Sequence, residues 1–231
     1  MNIKKNMKNK KSKSLVLFSG GQDSTTCLFW AKKNFDEVIA IGFQYGQKHS
    51  NELEQAQKIA DLAGVEYKIL NLEGLLGGSS LTDHSQSTSD QHLKDGSLPS
   101  TFTAGRNMLF LTVVGSLGYE LDAFDLVTGV CQTDFSGYYD CRRVFIESME
   151  TSLSLAMGKD FRIHTPLMYL TKAETWKLAK ELDVVEIVRT MTLTDYNGSM
   201  TENEWGFGKL DNPASELRAK GYFEAKENGW L

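Results

Sequence analysis

A short glycine-containing turn, Ser19-Gly20-Gly21-Gln22-Asp23-Ser24, is the feature that most constrains how this chain can fold. It lies between an apolar run from Leu15 to Phe18 and a helix-like run from Thr25 to Lys33. Two adjacent glycines permit a sharp turn, and successive N–H groups at the positive end of the following helix can hold an anion. The turn is therefore a candidate phosphate site, although it lacks the pattern of a Walker loop or a dinucleotide fingerprint. A purely steric role for the glycines is the alternative.

Strand-like and helix-like runs alternate along most of the chain, which predicts parallel strands joined by right-handed crossovers. The first three strand-like runs are read as continuous and apolar, as expected for strands that helices cover on both faces. Five are predicted, at Leu15–Phe18, Val38–Phe43, Tyr67–Leu70, Asp125–Val130 and Phe161–Thr165. The predicted fold class is therefore α/β, an open, doubly wound parallel sheet of about five strands, followed by an irregular tail with a final helix from Ala214.

The composition is that of an ordinary globular protein, since 41% of the 231 residues are hydrophobic and 24% are charged. No apolar run approaches the roughly 20 residues that span a bilayer, so no membrane partner is expected. The three cysteines, Cys27, Cys131 and Cys141, lack the spacing of a metal site or a disulfide framework. Because no secretory leader is visible either, a cytoplasmic location is expected.

Charge is distributed unevenly along the chain. Residues 1–13 contain six lysines and no acid, whereas the rest carries 19 basic and 30 acidic side chains, a net charge of −11. Residues 1–13 are therefore predicted to be a disordered basic tail, with nucleic-acid binding as a less favoured alternative. Residues 14–190 are predicted to be the α/β domain, with a mobile loop at 74–104. Residues 191–231 are then a C-terminal subregion.

A second informative stretch, Gly129 to Arg142, follows the predicted strand Asp125–Val130. Open α/β sheets bind ligands at the carboxyl ends of their strands, where this stretch begins. Its aromatic residues and its carboxylates, Asp134 and Asp140, could stack on a flat heterocycle and accept hydrogen bonds from it. Alternatively, the aromatic residues pack beneath a loop and Asp140 caps the next helix. The residues alone do not decide between these interpretations.

Thr171 and Glu174 have the spacing of a capping box, which predicts a helix that begins there and ends near Leu182. Lys172 then lies in the first turn, where a cation opposes the helix dipole at a cost of about 0.3–1 kcal/mol. A lysine in this unfavourable position is a candidate phosphate ligand. The alternative is an exposed surface lysine.

Six motifs, in order and nearly end to end, resemble those of the 7-cyano-7-deazaguanine synthases, a family of N-type ATP pyrophosphatases. They are SGGQDSTTCL at Ser19–Leu28, FQYGQKH at Phe43–His49, AGRN at Ala104–Asn107, TGVCQTDFSGYYDCR at Thr128–Arg142, TPLMYLTKAETW at Thr165–Trp176 and TLTDYNG at Thr192–Gly198. The resemblance implies an ATP-dependent carbon–nitrogen ligase. ATP would adenylate the carboxylate of 7-carboxy-7-deazaguanine with release of pyrophosphate, ammonia would displace AMP, and a second ATP would drive dehydration of the amide to the nitrile.

The resemblance also implies roles for individual residues. ATP and its pyrophosphate would contact Ser19, Gly20, Gly21, Gln22, Asp23, Ser24, Phe43, Tyr45, Gly105, Arg106 and Gly129. The deazapurine would contact Gln47, His49, Asp134, Phe135, Ser136, Gly137, Tyr138, Asp140 and Arg142. Catalytic roles fall to Asp23, Ser24, Arg106 and Lys172. Arg106 would bind a carboxylate or a phosphate as a guanidinium fork, and Asp23 would hold magnesium.

The chain departs from the family where four cysteines normally bind a structural zinc ion. Asp195, Lys209, Asn212 and Ser215 occupy those positions. None of them is a thiolate, so zinc is not expected. The C-terminal subregion would instead depend on its own packing, with these aromatic residues as candidates: Trp205, Phe207, Tyr222, Phe223 and Trp230.

Loss of the cysteines leaves the fate of the adenylate open. The acceptor is ammonia, as in queuosine biosynthesis, or another amine. The family resemblance also covers relatives associated with antiviral defence, which join the deazapurine to a partner such as a protein or a nucleotide. A non-catalytic sensor of ATP or a deazapurine is a further interpretation, and a homodimer and a protein partner are both compatible with the sequence.

Overall fold

The computed structural model describes residues 12–46, 51–81, 96, 98–133, 138–195 and 197–231. Its elements, in chain order, are β1 (Lys13–Leu17), α1 (Gln22–Asn34), β2 (Glu37–Gln44), α2 (Asn51–Ala63), β3 (Glu66–Asn71), α3 (Arg106–Leu121), β4 (Asp125–Val127), α4 (Arg143–Met157), β5 (Arg162–His164), α5 (Lys172–Glu181), α6 (Val185–Met191), β6 (Glu202–Asn203), β7 (Gly206–Phe207) and α7 (Pro213–Glu227). A short 3-10 helix, Tyr139–Cys141, precedes α4. Within those ranges, none of the helices combines the length and the hydropathy that a bilayer crossing requires.

Five parallel strands form the central sheet in the order β3-β2-β1-β4-β5, which confirms the predicted fold. β1 pairs with β2 on one side and with β4 on the other, so Leu15 lies opposite both Ile39 and Leu126. The chain first extends the sheet from β1 to β3 and then returns to add β4 and β5 on the other side. This reversal creates a topological switch point between β1 and β4, where ligands of such sheets bind.

Helices cover both faces of the sheet. Leu15 belongs to a core cluster with Leu111 of α3, whereas its neighbour Val16 belongs to a second cluster with Leu28 of α1 and Ile59 of α2. All five side chains are completely buried. Because successive strand residues point to opposite faces, a strand between two helical layers must be apolar at every position. The continuous apolar run at β1 has this cause.

The observed strands differ from the predicted ones chiefly at β4. Four strands agree with the prediction to within two residues at each end, but β4 ends at Val127 instead of Val130. Beyond Val127 the chain leaves the sheet and passes over the first turn of α1. A Cβ atom at Gly129 would lie 3.2 Å from the carbonyl carbon of Asp23. The close approach to α1 therefore replaces the last three predicted strand residues.

The start of α5 is as predicted. The N–H of Glu174 donates to Oγ1 of Thr171 at 3.2 Å, and the N–H of Thr171 donates to Oε2 of Glu174 at 2.8 Å. These two bonds make the expected capping box. The last helix, α7, begins at Pro213, one residue before the predicted start.

The described part of the chain begins within the predicted basic tail. The N–H and the hydroxyl of Ser12 both donate to Oδ2 of Asp36 at 2.9 Å. Lys13 opens β1, and its Nζ lies 2.8 Å from Oε1 of Glu37. The predicted tail boundary after residue 13 is therefore wrong, because strand pairing extends to Lys13. Residues 1–11 lie outside the described residues.

The predicted mobile loop, residues 74–104, is described at both ends. The N–H of Ser80 donates to the carbonyl of Ser100 at 2.8 Å, and their hydroxyls lie 2.9 Å apart. Both serines are completely buried. These bonds join the two ends of the loop, while residues 82–95 and 97 lie outside the described residues.

The C-terminal subregion is more regular than the sequence predicts. It contains α7 and the antiparallel pair β6-β7, and α6 immediately precedes it. Trp205 and Tyr222 are buried as predicted, and the rings of Tyr222 and Trp176 lie 5.2 Å apart in an edge-to-face arrangement. Phe223 is 44% exposed, so its predicted packing role is wrong. It lies on α7 next to Tyr222, and consecutive helix residues point in different directions.

Candidate nucleotide-binding site

A cavity of about 950 Å³ opens at the carboxyl ends of β1, β2 and β4, beside the switch point of the sheet. Its walls come from the glycine turn, the first turns of α2 and α3, the stretch after β4, and the C-terminal elements. The lining includes Ser19, Gly21, Gln22, Asp23, Ser24, Phe43, Tyr45, Glu52, Arg106, Gly129, Tyr138, Arg142, Lys172, Thr194 and Arg218. The structure thus brings together the residues predicted for ATP, with Gly20 and Gly105 adjoining this lining in the chain.

The glycine turn meets both a steric and an electrostatic requirement. Gly20 has φ +79°, and a Cβ atom there would lie 3.0 Å from the backbone of Ala56 in α2. Gly20 is therefore required for close packing against α2. Gly21 is the N-cap of α1 and has no side chain with which to cap it. The N–H groups of Asp23 and Ser24, in the first turn of α1, are consequently suited to bind an anion.

Two serines brace the turn from within. The hydroxyl of Ser24 donates to the carbonyl of Gly21 at 3.2 Å and accepts from the N–H of Ser19 at 3.3 Å. The two serine hydroxyls are 3.1 Å apart. Ser24, predicted to be catalytic, therefore fixes the shape of the turn and also lines the cavity.

Lys172 connects the first turn of α5 to the first turn of α1. Its Nζ lies 2.9 Å from Oδ2 and 3.1 Å from Oδ1 of Asp23. The side chain of Lys172 is only 11% exposed, so the alternative of an exposed surface lysine is wrong. Gly221 of α7 allows this arrangement, because a Cβ atom there would lie 2.7 Å from Cβ of Lys172. Asp23 and Lys172, two of the four residues predicted to be catalytic, therefore line the same cavity as an ion pair.

Arg106, the first residue of α3, also lines the cavity. Its guanidinium carbon lies 5.7 Å from the ring centre of Tyr138. Arg142 similarly lies over Tyr139, at 4.7 Å. Burial raises the pKa of Tyr45, although Arg106 acts in the opposite direction through its charge and a hydrogen bond. The cavity thus contains two guanidinium groups and the aromatic surface of Tyr138 in addition to the glycine turn.

Glu52, in the first turn of α2, is a carboxylate that the sequence did not single out. Burial raises its pKa to about 7, the charge of Arg106 acts against this, and Asp195 adds to it. Glu52 lines the cavity beside Arg106. A group with such a pKa changes charge near neutral pH, where it alters the electrostatic potential of an anion site.

Asp140 has a structural task in this arrangement. Its Oδ2 accepts from the N–H of Asn107 at 2.9 Å, so it caps the start of α3 from across the chain. The N-cap of α4 is Arg142, which makes no side-chain capping bond. The alternative that Asp140 caps the following helix is therefore wrong. Tyr138 is buried, and its hydroxyl lies 2.5 Å from Oγ1 of Thr101.

Cys141 lines the cavity but is poorly suited to act as a nucleophile. Burial raises the pKa of its thiol to about 12, and the charge of Asp140 adds to this effect. The thiolate is the reactive form of cysteine, so covalent catalysis by Cys141 is disfavoured.

Six residues predicted to contact the deazapurine cannot be placed. Gln47, His49, Asp134, Phe135, Ser136 and Gly137 lie outside the described residues. Tyr138, Asp140 and Arg142 are the described members of that set.

The four family zinc positions meet around one buried carboxylate. Oδ2 of Asp195 accepts from the N–H of Lys209 at 2.8 Å and from the hydroxyl of Ser215 at 2.9 Å. Oδ1 accepts from the N–H of Asn197 at 2.7 Å. The N–H of Ser215 donates in turn to Oδ1 of Asn212 at 3.1 Å. We call Asp195, Lys209, Asn212 and Ser215 the Asp195 cluster.

The Asp195 cluster does not fit a zinc ion. Burial raises the pKa of Asp195, but hydrogen bonds from Lys209, Ser215 and Asn197 outweigh burial and hold that pKa below its usual range. The carboxylate is therefore ionised and already accepts hydrogen bonds on both oxygens. Across the described ranges, no three His, Cys, Asp or Glu side chains lie together as a metal site would require.

The parallel sheet, with its glycine turn at the switch point, has the α/β fold of the adenine nucleotide alpha hydrolases. Residues 13–226 match the family model described as Queuosine biosynthesis protein QueC. The chain belongs to the QueC family, as the sequence motifs predicted. Family membership and the fold support an ATP-dependent enzyme that uses nucleotides, of the ligase or transferase kind.

Solved structures share this fold at low sequence identity. An NMN synthetase from Francisella tularensis is 13% identical, with a TM-score of 0.50, over 96% of this chain and 88% of that chain. A 4-thiouridine synthetase in complex with RNA and bound ATP is 17% identical, with a TM-score of 0.50. That match covers 94% of this chain and 53% of the synthetase chain, so this chain spans about half of the synthetase's length.

Proposed function

We propose that the protein adenylates the carboxylate of 7-carboxy-7-deazaguanine with ATP, releasing pyrophosphate. One observation carries the proposal. The glycine turn, Arg106 and Arg142 line a single cavity, so that a phosphate site and a site for a second anion share it. This is the arrangement that a reaction between a triphosphate and a carboxylate requires.

The glycine turn with Lys172 and the two arginines have different tasks in this reaction. A carboxylate oxygen of the substrate attacks the α-phosphorus, a new P–O bond forms, and the bond to pyrophosphate breaks. The first N–H groups of α1 stabilise the negative charge on the departing pyrophosphate, and Lys172 adds a positive charge 2.9 Å from Asp23. Asp23 offers the carboxylate chemistry that suits magnesium, which would supply further positive charge to the phosphates.

Arg106 and Arg142 orient the deazapurine. Arg106 or Arg142 can bind the substrate carboxylate as a two-pronged donor before it reacts. The aromatic surface of Tyr138 and the neighbouring Tyr139 suits a flat heterocycle. Ammonia or another amine then attacks the mixed anhydride carbon, the C–O bond breaks, and AMP leaves with an amide as the product. With ammonia, a second ATP would drive dehydration of that amide to the nitrile.

The test measures AMP and pyrophosphate from ATP with and without 7-carboxy-7-deazaguanine. We expect both products only when the carboxylate is present, and the amide or nitrile in the mass spectrum when ammonia is added. Arg106→Met should abolish substrate-dependent AMP formation, whereas Arg162→Met, an exposed arginine of β5, should not. A folded wild-type protein that binds ATP but forms no AMP with this substrate would overturn the proposal.

A further inference from the structure

Thr194 joins the C-terminal subregion to the glycine turn. Its Oγ1 accepts from the N–H of Gln22 at 3.1 Å and from Nη1 of Arg218 at 3.1 Å. A hydroxyl has two lone pairs and one proton, so both acceptor positions are occupied and the proton must be donated elsewhere. Thr194 lines the cavity and is partly exposed to it. Within the described ranges, those two bonds are the ones its side chain makes, so the free donor is available to a ligand in the cavity.

Arg218 is an unusual partner for a threonine, because its side chain is completely buried. Apart from Thr194, its guanidinium donates to backbone carbonyls only: Trp205 at 3.1 Å, Thr192 at 3.2 Å, Val188 at 2.9 Å and Arg189 at 3.4 Å. Among the described residues, no carboxylate forms an ion pair with it. Burial lowers the pKa of Arg218 to about 10, with Asp23 acting against this, so the group stays charged at neutral pH.

A buried charge without a counterion is costly, and proteins keep one where another charge arrives or where function requires it. The fold makes specific room for this guanidinium. Gly206 has φ +110°, and a Cβ atom there would lie 2.1 Å from Nη2 of Arg218. The backbone of β7 can therefore pass the guanidinium only with glycine at this position.

The side-chain amide of Gln22, the residue whose N–H binds Thr194, has unsatisfied polar atoms. Gln22 is 1% exposed and lines the same cavity. In the described part of the chain, neither its amide oxygen nor its amide nitrogen has a hydrogen-bond partner. Buried side-chain amides in folded proteins almost always form hydrogen bonds. An amide without a partner at a cavity wall therefore indicates that a ligand supplies the missing hydrogen bonds.

We propose that the hydroxyl of Thr194 is a phosphate ligand at this site and that Arg218 is the residue that positions it. The hydroxyl accepts a hydrogen bond from a cation, which strengthens the bond that it donates to an anion. The buried charge of Arg218 also raises the positive potential where the pyrophosphate end of ATP would lie. Asp195, which follows Thr194 in the chain, is held in place by the hydrogen bonds of the Asp195 cluster. The identity of the anion rests on the proposed function, but the anion site itself does not.

The experiment titrates the full-length protein with inorganic pyrophosphate, and separately with ATP, by calorimetry at one fixed salt concentration. Thr194→Val removes the hydroxyl at nearly constant volume, and we expect it to weaken pyrophosphate binding about tenfold or more. Thr194→Ser should restore binding to within about twofold of the wild type, since it keeps a hydroxyl at the same position. Thr190→Val, the same change at an exposed threonine of α6, should leave binding unaltered. A Thr194→Val protein that binds pyrophosphate as tightly as the wild type would overturn the proposal.

Arg218 is tested through its coupling to Thr194. If Arg218 acts by positioning the hydroxyl, Arg218→Lys should weaken binding in the wild type and add little in the Thr194→Val background. Fully additive losses would show that Arg218 does not act through Thr194. If Arg218→Lys fails to fold, the Thr194→Val and Thr194→Ser pair still decides whether the hydroxyl binds the anion. Pyrophosphate binding needs no deazapurine, so failure of adenylation leaves this result interpretable.

Discussion

Nζ of Lys172 lies 2.9 Å from Oδ2 of Asp23 and thereby joins the first turn of α5 to the first turn of α1, although 149 positions separate the two residues. A lysine in the first turn of a helix opposes the dipole of its own helix. Here it is held by a carboxylate that stands at the start of another helix. Two helix N-termini therefore converge on the glycine turn, and the ion pair fixes the ammonium of Lys172 beside it.

This convergence predicts the effect of removing the ammonium. Lys172→Met keeps the length of the side chain and loses its charge, so negative charge on the departing pyrophosphate would be less stabilised. We expect kcat for substrate-dependent AMP formation to fall about 100-fold, the loss typical for one preorganised donor. Lys180→Met, an exposed lysine of the same helix, is the control and should retain wild-type activity. Equal kcat values for the two variants in steady-state kinetics would contradict the role assigned to Lys172.

Much of the fold could be predicted because its signals are local. The apolar runs at β1 and β2 mark buried strands directly, and the capping box at Thr171 marks the start of α5. The strands β6 and β7 have two residues each, and α6 has only seven, so none of the three is long enough to show a repeated pattern. Those elements form through packing in the C-terminal subregion, which a sequence does not display.

The residues of the candidate site likewise fall into those that the sequence reveals and those that only the structure reveals. The glycine turn, Arg106 and Lys172 belong to motifs, and the sequence alone singled them out. Arg218 has the sequence character of a surface residue, and its burial depends on contacts with carbonyls up to 30 positions away. Thr194 belongs to the motif TLTDYNG and could have been found there. Glu52 could not, since its environment is made by Arg106 and Asp195 from distant parts of the chain.

The Asp195 cluster predicts a stability effect with a defined pH dependence. Asp195→Asn places an amide NH₂ among donors, so the free energy of unfolding should fall by about 1–3 kcal/mol at pH 7. Because the folded pKa of Asp195 lies below its unfolded value, its contribution is complete above about pH 4 and is lost as the pH falls through the folded pKa. Urea unfolding at pH 7 measures the change. Asp160→Asn, at an exposed aspartate, should have almost no effect.

The same cluster predicts how the protein responds to metal removal. A four-cysteine zinc site stabilises its surroundings, so a chelator destabilises proteins that depend on one. Here a carboxylate with its hydrogen bonds occupies the centre of that region. The melting temperature should therefore be the same with and without excess EDTA. A decrease that added zinc reverses would contradict this interpretation of the cluster.

Glu52 predicts a pH dependence of stability that is opposite in sign to that of Asp195. Its folded pKa of about 7 lies above the ordinary value of 4.5, so the folded state binds its proton more tightly than the unfolded state does. The stability contributed by the neutral form is full below about pH 4.5 and is lost as the pH rises to about 7. Glu52→Gln should remove this part of the slope and be more stable than the wild type at pH 8. Urea unfolding between pH 5 and pH 8 tests it, and Glu54→Gln, at an exposed glutamate of the same helix, should leave the slope unchanged.

Gly20 allows a prediction that separates backbone conformation from close packing. Gly20 and Gly74 have the same φ, +79°, but a Cβ atom at Gly20 would lie 3.0 Å from Ala56, whereas at Gly74 nothing lies within 4 Å. Gly74→Ala should therefore cost only the strain of the left-handed conformation, about 1–2 kcal/mol. Gly20→Ala should cost about 1–3 kcal/mol more, because α2 must move away from the turn. It should also weaken pyrophosphate binding, which Gly74→Ala should not, because displacing the turn moves the first N–H groups of α1. Urea unfolding and calorimetry of the two variants measure both effects, and equal destabilisation would mean that the turn does not depend on its contact with Ala56.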